Sequence, residues 1–373
     1  MKIKQVTAYG VELPQRVRYK MSVANYESLR TVIVEIHAED GHIGIGQASI
    51  TASAYSPYGE TLDGAVHAIN GVLGPQLVGL DPMAIEAAHV AMHKVLQGNP
   101  TAKTAIDVAL HDLSGVILGV PVYSLLGGPL LTELPVLASI GYFPTDELVD
   151  HAQKAVDQGY GTIKIRVGVD IETDLRNLTA LRNKLGDAFP ISIDFNQAMT
   201  EVHGRPDQAI GYIRRLEQFN IDTIEQPVAG YDFENMAAIT AAIDTPIVAD
   251  ESIWTLQDAR RAINMRACDI IKVKIVKTGG LLFARKMAAL CEAAGMALVI
   301  GHGIAGVVQN AAEAHLAASL PNWKPPGEMN GYLKMAKDVG SPIRFEGGAL
   351  KLDATPGLGV KLLPEEIKEL AVA

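Results

Sequence analysis

Cysteine is nearly absent from this 373-residue chain: only Cys268 and Cys291 occur, with no Cys-x-x-Cys pair. That excludes a disulfide framework and points to a reduced, cytoplasmic protein. Basic charge is in deficit as well, 32 Lys and Arg against 42 Asp and Glu, for a net charge of −10. This balance disfavours a nucleic-acid or anionic-membrane partner, so any functional cluster of cations must be local. Long apolar runs are lacking too. The stretch from Met287 to Leu320 is interrupted by Glu292, His302 and Glu313, and the opening MKIKQVTAYGVELPQR has no apolar signal core, so neither a membrane span nor a secretion signal is expected. What is present is 48% apolar residues, with 35 glycines and 19 prolines spread along the chain. Such a composition supports a large packed core and excludes disorder, collagen and coiled coil.

Residues 3–12 and 30–49 carry β-branched runs, and Glu39-Asp40-Gly41 between IVEIHA and HIGIGQ is a hairpin turn signal. From Gly59 to Leu126 the pattern turns helical, with apolar residues at three and four spacing from Ala102 to Leu118. Residues 1–130 thus read as an antiparallel α+β unit. Two stretches, Pro14–Tyr26 and Ile50–Tyr58, read as loops, and their Lys20, Tyr26, Tyr55 and Tyr58 are candidate substrate-binding residues of a lid; a solvated loop with packed tyrosines is the alternative. From Leu134 short β-rich runs alternate with amphipathic helical stretches: LPVLAS, TIKIRV, ISIDFN, DTIEQP, PIVADE, DIIKVKI and ALVIGH. Strands joined by helices pair in parallel, and these seven units plus one near Met329 predict an α/β fold, an eight-stranded barrel over residues 131–340. An open doubly wound sheet would need a glycine-rich phosphate turn after an early strand, which is absent. Residues 341–373 return to strand and turn character and are expected to pack back on the first unit.

Alternation along a barrel strand sends Ile163, Ile165 and Val167 outward and Lys164 and Arg166 inward; the same period turns Asp194 and Asn196, and Lys272 and Lys274, to the interior. A barrel tolerates such polar residues at the carboxyl ends of its strands, where active sites lie. The intervals Lys164–Asp194, Asp194–Glu225, Glu225–Asp250, Asp250–Lys274 and Lys274–His302 are 30, 31, 25, 24 and 28 residues, each about one strand-helix unit. Three carboxylates on successive strands, Asp194, Glu225 and Asp250, form a hard oxygen site suited to Mg²⁺, with Mn²⁺ as the alternative. Each alone is equally consistent with a helix N-cap. Lys164 and Arg166 are expected to face Lys274 across the ion, an arrangement suited to moving a proton α to a carboxylate through a metal-stabilised enediolate, or else to a structural ion network.

The ordered set Lys164-Ile-Arg166, Asp194-Phe-Asn196-Gln197, Glu225-Gln-Pro, Ala249-Asp250-Glu251-Ser252, Lys272-Val-Lys274, Lys277-Thr-Gly-Gly280 and Pro356-Gly-Leu-Gly-Val360 resembles the enolase superfamily, and within it the muconate lactonizing enzyme (muconate cycloisomerase) subgroup. The resemblance implies a modified (β/α)₇β TIM-like barrel with an α+β capping domain built from both termini, Asp194, Glu225 and Asp250 as metal ligands, and Lys274 as acid/base. The subgroup includes cycloisomerases, amino-acid racemases, dipeptide epimerases and o-succinylbenzoate synthases. Arg166 departs from the family's Lys-x-Lys; arginine stays protonated, which weakens a two-base racemase and leaves Lys164 and Arg166 to hold the substrate carboxylate or its enolate. His302 stands where the mandelate racemase subgroup carries a catalytic histidine, as a candidate proton donor, a substrate-binding residue or a packed histidine. Asn196 and Trp323 are further substrate-binding candidates, with Tyr142, Phe143 and Tyr332 as specificity positions, and His203 and Arg205 read as surface residues. The expected activity is a Mg²⁺-dependent isomerase of small carboxylates, a cycloisomerase or a racemase/epimerase, working as a homo-oligomer. The alternatives are a sugar-acid or hydroxy-acid dehydratase and a non-catalytic binding scaffold.

Overall fold

The computed structural model describes residues 1–20, 25–50, 59–200, 205–302 and 304–372, without the side chains of residues 17–20, 25 and 26. The β-branched N-terminal runs form β1 (Ile3–Lys20), β2 (Asn25–Ala38) and β3 (Ile43–Ser49), a meander turning through Glu39–Gly41, where Gly41 takes φ +94°. Pro14 to Lys20 and Asn25 to Tyr26 are therefore strand rather than loop. The β1–β2 hairpin arms run past Pro14, with the register shifting between Pro14 and Tyr19 and resuming at Tyr19–Tyr26 and Lys20–Asn25. Tyr55 and Tyr58 lie outside the described residues.

The capping sheet is buried on both faces. Val32, Val34 and Ile36 pack under helices, and Val11, Leu13, Leu29 and Ile33 meet Met335, Val339 and Leu370. The helices are α1 (Leu62–His67), α2 (Ile85–Val95) and α3 (Pro100–Leu118), and α3 is buried almost all round because it is wedged between the sheet and the rest of the molecule. A short α4 (Val122–Leu125) follows.

Beyond β4 (Glu133–Pro135) the chain alternates as its sequence predicts: β5 (Ala138–Ser139), α5 (Thr145–Asp157), β6 (Ile163–Arg166), α6 (Ile171–Leu185), β7 (Ile191–Asp194), α7 (Pro206–Glu217), β8 (Thr223–Glu225), α8 (Phe233–Ala242), β9 (Ile247–Ala249), α9 (Leu256–Met265) and β10 (Ile270–Val273). Then come the one-turn α10 (Ile275–Thr278), α11 (Leu281–Ala293), β11 (Ala297–Ile300) and α12 (Val307–Ser319). Strands β5 to β11 form one parallel sheet in chain order, its outward side chains in a continuous core with the helices. The eighth unit expected near Met329 is not a regular strand. Gly327 bridges Val136 and Glu328 bridges Gly301, both in parallel sense, so two residues close the ring between its first and last strands.

Leu134 and Pro135, expected in the first barrel strand, instead pair through β4 with β13 (Ala349–Lys351), itself paired with β12 (Arg344–Glu346). The tail thus returns to two places: β12 and β13 to the foot of the barrel, and α13 (Pro364–Leu370) with β14 (Ala371–Val372) to strand β1 of the cap. Among the described residues no helix is long and apolar enough to cross a membrane.

Buried polar ties join cap to barrel. Asp107 of α3 accepts from the backbone N–H of Leu281 at 2.5 Å, at the start of α11, and contacts His89 and His111. Gly280 takes φ +120°, and a Cβ there would overlap the Asp107 carboxylate, so only glycine admits this approach. Asp112 accepts from Ile45 N–H at 2.8 Å and Leu358 N–H at 2.7 Å, joining β3 to the tail. Burial pushes its carboxyl up to about 6 against the help of these two donors. A folded value above the unfolded one means that the native state holds the proton more tightly, so the contribution of Asp112 weakens as pH rises from about 4 through 6. The stability difference between wild type and Asp112→Asn is expected to move in the variant's favour by about 2 kcal/mol between about pH 4 and pH 7, read by urea unfolding at each pH. A difference independent of pH would contradict the assignment.

Candidate active site

The carboxyl ends of β6 to β11 carry a buried lattice of alternating charge. Register pairs Arg166 with Asp194 and Asp194 with Glu225 across adjacent strands, and Asp250 follows β9 directly, so the three carboxylates stand side by side because parallel strands end level. Gln226, in the left-handed region at φ +39°, reaches the next segment, where its Oε1 accepts from Asp250 N–H at 2.9 Å and Ser252 N–H at 3.2 Å. This fixes where Asp250 leaves its strand.

Lys164 lies 3.1 Å from Asp194, 3.0 Å from Glu225 and 2.5 Å from Glu328. Lys272 lies 2.9 Å from Glu225 and 2.8 Å from Glu328. Arg166 pairs with Asp194 and also donates to Asn196 Oδ1 at 2.9 Å. On the far side Lys274 lies 2.6 Å and Lys277 2.8 Å from Asp250. Lys164 and Arg166 therefore sit at one end of the carboxylate row and Lys274 at the other. Lys164, Lys272 and Lys277 are 2% exposed and Lys274 is 16% exposed, which makes Lys274 the cluster's most accessible cation.

Burial opposes ionisation throughout, and the neighbours decide the outcome. Burial would raise Asp194, but Arg166, Lys164 and Lys272 bring it down to about 2. Asp250 is likewise held well below the carboxylate range by Lys274, Lys277 and Lys272 despite its burial. Glu225 and Glu328 overcome burial to hold Lys272 well above the usual lysine value. Glu251 goes the other way: burial, Asp250 and Asp194 push it up to about 7, and its buried Oε2 has no hydrogen-bond partner among the described residues. Burial, then Lys274, depresses His302 well below an ordinary histidine.

Among the described residues no three Asp, Glu, His or Cys side chains already converge on one cation position. Ammonium and guanidinium groups stand between the carboxylates instead. The donor set nevertheless suits a hard divalent cation, being all carboxylate oxygen, and one buried oxygen, Oε2 of Glu251, lacks a partner among the described residues.

The other candidates divide. Asn196, at φ +44°, donates its backbone N–H to Asp194 Oδ1 at 2.8 Å and its side-chain Nδ2 to Glu251 Oε1 at 3.3 Å, and so belongs to the cluster. His302 is 7% exposed at the end of β11. Trp323 is placed elsewhere: it bridges Leu298 near the start of β11 and packs in the core, at the end of the strand away from His302. Tyr332 is buried with its hydroxyl on Ile343 O at 2.8 Å, Phe143 packs on the His151 ring, and Arg205 lies on the surface against Asp207. His203 lies outside the described residues. Sequence reasoning left Lys272 without a role, gave Lys277 and Glu251 only as motif residues, and missed Glu328. The inward period of Lys272 and the Asp250-Glu251 pair were usable signals; Glu328, outside any periodic run, had none.

Glu328 sits between two buried ammonium groups, so Glu328→Gln should leave Lys164 and Lys272 undercompensated and cost about 3–5 kcal/mol in urea unfolding. Adding Lys272→Met should recover part of the loss. Additive losses would show that the pair is not coupled.

Residues 147–367 match the family described as Enolase C-terminal domain-like, and residues 4–127 match the Mandelate racemase / muconate lactonizing enzyme N-terminal domain. The N-succinyl-L-Arg/Lys racemase of Bacillus cereus is 31% identical over 100% of this chain and 98% of its own. Its crystal structure superimposes with a TM-score of 0.94, covering 100% of this chain and 99% of that one. The muconate lactonizing enzyme of Pseudomonas fluorescens, solved with muconolactone, gives a TM-score of 0.93 at 30% identity, covering 100% and 99% of the two chains. The dipeptide epimerase of Enterococcus faecalis, solved with Mg and L-Leu-L-Tyr, gives 0.90 at 32% identity, covering 96% and 99%. The chain belongs to the enolase superfamily, in the mandelate racemase / muconate lactonizing enzyme family and its muconate-lactonizing-like subgroup.

Proposed function

We propose that this enzyme is a Mg²⁺-dependent isomerase that removes the proton α to the carboxylate of a small substrate, with Lys274 as the base and proton chemistry confined to one face. The observation that carries this reading is the asymmetry of the cluster: Lys274 is the most accessible cation, while Lys164 is buried among three carboxylates and Arg166 cannot release its proton. Lys164 would act as a fixed ammonium, and Arg166 would orient the substrate carboxylate through its planar fork. Asp194, Glu225 and Asp250 would hold Mg²⁺, in keeping with the Mg in the dipeptide epimerase structure. When bound, the ion stabilises the negative charge that deprotonation places on the substrate carboxylate.

Charge balance supports an anionic substrate. Even with Glu251 ionised, Asp194, Glu225, Asp250, Glu251 and Glu328 do no more than match Lys164, Arg166, Lys272, Lys274 and Lys277, so a divalent cation leaves the site in need of anions. The relatives include muconate cycloisomerases, an N-succinyl-L-Arg/Lys racemase and a hydrophobic dipeptide epimerase, which supports a test panel of muconates, N-acylamino acids and dipeptides.

The test is α-H/D exchange in D₂O with Mg²⁺ over that panel, followed by NMR and mass. Exchange on one face is expected, lost by about 10³-fold or more in kcat for Lys274→Ala. It should be abolished, with circular dichroism retained, in Asp194→Asn, Glu225→Gln and Asp250→Asn, and reversibly by EDTA. Full activity in metal-free enzyme would sink the reading. Exchange of both enantiomers at comparable rates, with one lost in Lys164→Ala, would replace it with a two-base racemase.

A further inference from the structure

His302 is held from behind by a buried amide. Gln309, fully buried in the first turn of α12, has its Nε2 3.1 Å from His302 Nδ1 and 3.0 Å from Glu313 Oε1. Its Oε1 accepts from the backbone N–H of Ser49, the last residue of β3, at 2.8 Å. That backbone group can only donate, so the oxygen of the amide must face Ser49 and its NH₂ must face His302 and Glu313. A flipped amide would set two donors against each other in a dry interior, at the full cost of an unmet buried donor. The neighbouring amide obeys the same logic. Asn310 Oδ1 accepts from Tyr332 N–H at 3.0 Å, which directs its Nδ2 to Glu313 Oε2 at 2.9 Å. Both Glu313 oxygens are therefore engaged by amides whose orientation the backbone sets. One proton of the Gln309 NH₂ goes to Glu313, and the other points at His302 Nδ1.

An imidazole nitrogen that faces a donor must carry a lone pair, so the proton of the neutral ring resides on the opposite nitrogen. We propose that Gln309, braced by Ser49 N–H and Glu313, is a positioning residue that holds His302 as the neutral Nε2–H tautomer, making it a hydrogen-bond donor to an acceptor oxygen of the substrate and not a base. The substrate clause rests on the proposed function above; the tautomer does not. Besides burial, the charged groups acting on the ring include Lys274, Asp250, Lys272 and Glu328 of the cluster. Two of these are ammonium groups, which disfavour a third cation beside them.

The experiment is ¹⁵N NMR of the imidazole nitrogens in histidine-labelled full-length protein near neutral pH, with His302 assigned from the signals missing in His302→Gln. The expected spectrum has Nε2 in the protonated, pyrrole-like range and Nδ1 in the bare, pyridine-like range. Gln309→Glu, made together with Glu313→Gln so that an amide and not a second carboxylate faces the new carboxylate, keeps an acceptor for Ser49 N–H and turns the atom facing the ring from donor to acceptor, so a proton should appear on Nδ1. With a substrate from the panel, this variant should raise KM on the order of tenfold, as for one lost hydrogen bond, with a smaller change in the saturated Lys274-dependent exchange rate. A wild-type ring protonated on Nδ1, or a doubly protonated one, overturns the proposal whether or not any variant folds. So does a folded double variant whose ring signals stay where they were. Loss of exchange activity with the Nε2–H signature intact would instead count against the proposed reaction.

Discussion

Everything at the open end of this barrel depends on the mutual neutralisation of buried charges. Each carboxylate there is costly to desolvate alone, as is each lysine, and neither set would survive burial without the other. The strands supply the required alternation cheaply: parallel neighbours end level, and a period of two sends every second side chain inward. Lys164, Asp194, Glu225 and Lys272 thus meet without any special loop conformation. Irregular backbone appears one to three residues later, at Asn196, Gln197 and Gln226, all with positive φ, where the chain leaves the strands and the second rank of polar side chains is aimed.

That division explains what could be read from the sequence. Period and spacing located Lys164, Arg166, Asp194, Glu225, Asp250 and Lys274 because all six stand on or directly after regular strands, where geometry follows from position. Glu328 escaped because it follows Pro325-Pro326-Gly327 and makes a single bridge, with no run of residues to establish a phase. Trp323 follows the last strand in sequence, but whether such a residue lies at the head or the foot of β11 depends on how the chain crosses the barrel. The stretch from Pro14 reads as a loop, yet a long hairpin tolerates proline where its register shifts. Gln309 looks like an ordinary first-turn residue, and its importance lies in a partner 260 positions away.

The cap is bound to the barrel through polar atoms at several depths as well as through apolar packing. Asp107 engages the start of α11, Thr104 reaches Ile275 O at 2.8 Å, and Gln309 exchanges hydrogen bonds with Gln47 and Ser49. Directional bonds of this kind specify one docking pose where greasy surfaces alone would permit sliding. They attach beside Lys274, Lys277 and His302, so the same residues that orient the cap also border the charged cluster.

Closure of the ring by Gly327 and Glu328 has a consequence for how the protein is made. The first barrel strand and the segment that bridges it are separated by nearly two hundred residues, and the cap receives its last strand from the extreme tail. A chain emerging from the ribosome can stack its strand-helix units one after another, yet it remains an open, curled sheet with an exposed edge until the seam residue has been synthesised. Until then Lys164 and Lys272 have only part of their counter-charge. The finished charge lattice therefore comes into being only after the seam has been made, as a property of the closed circle.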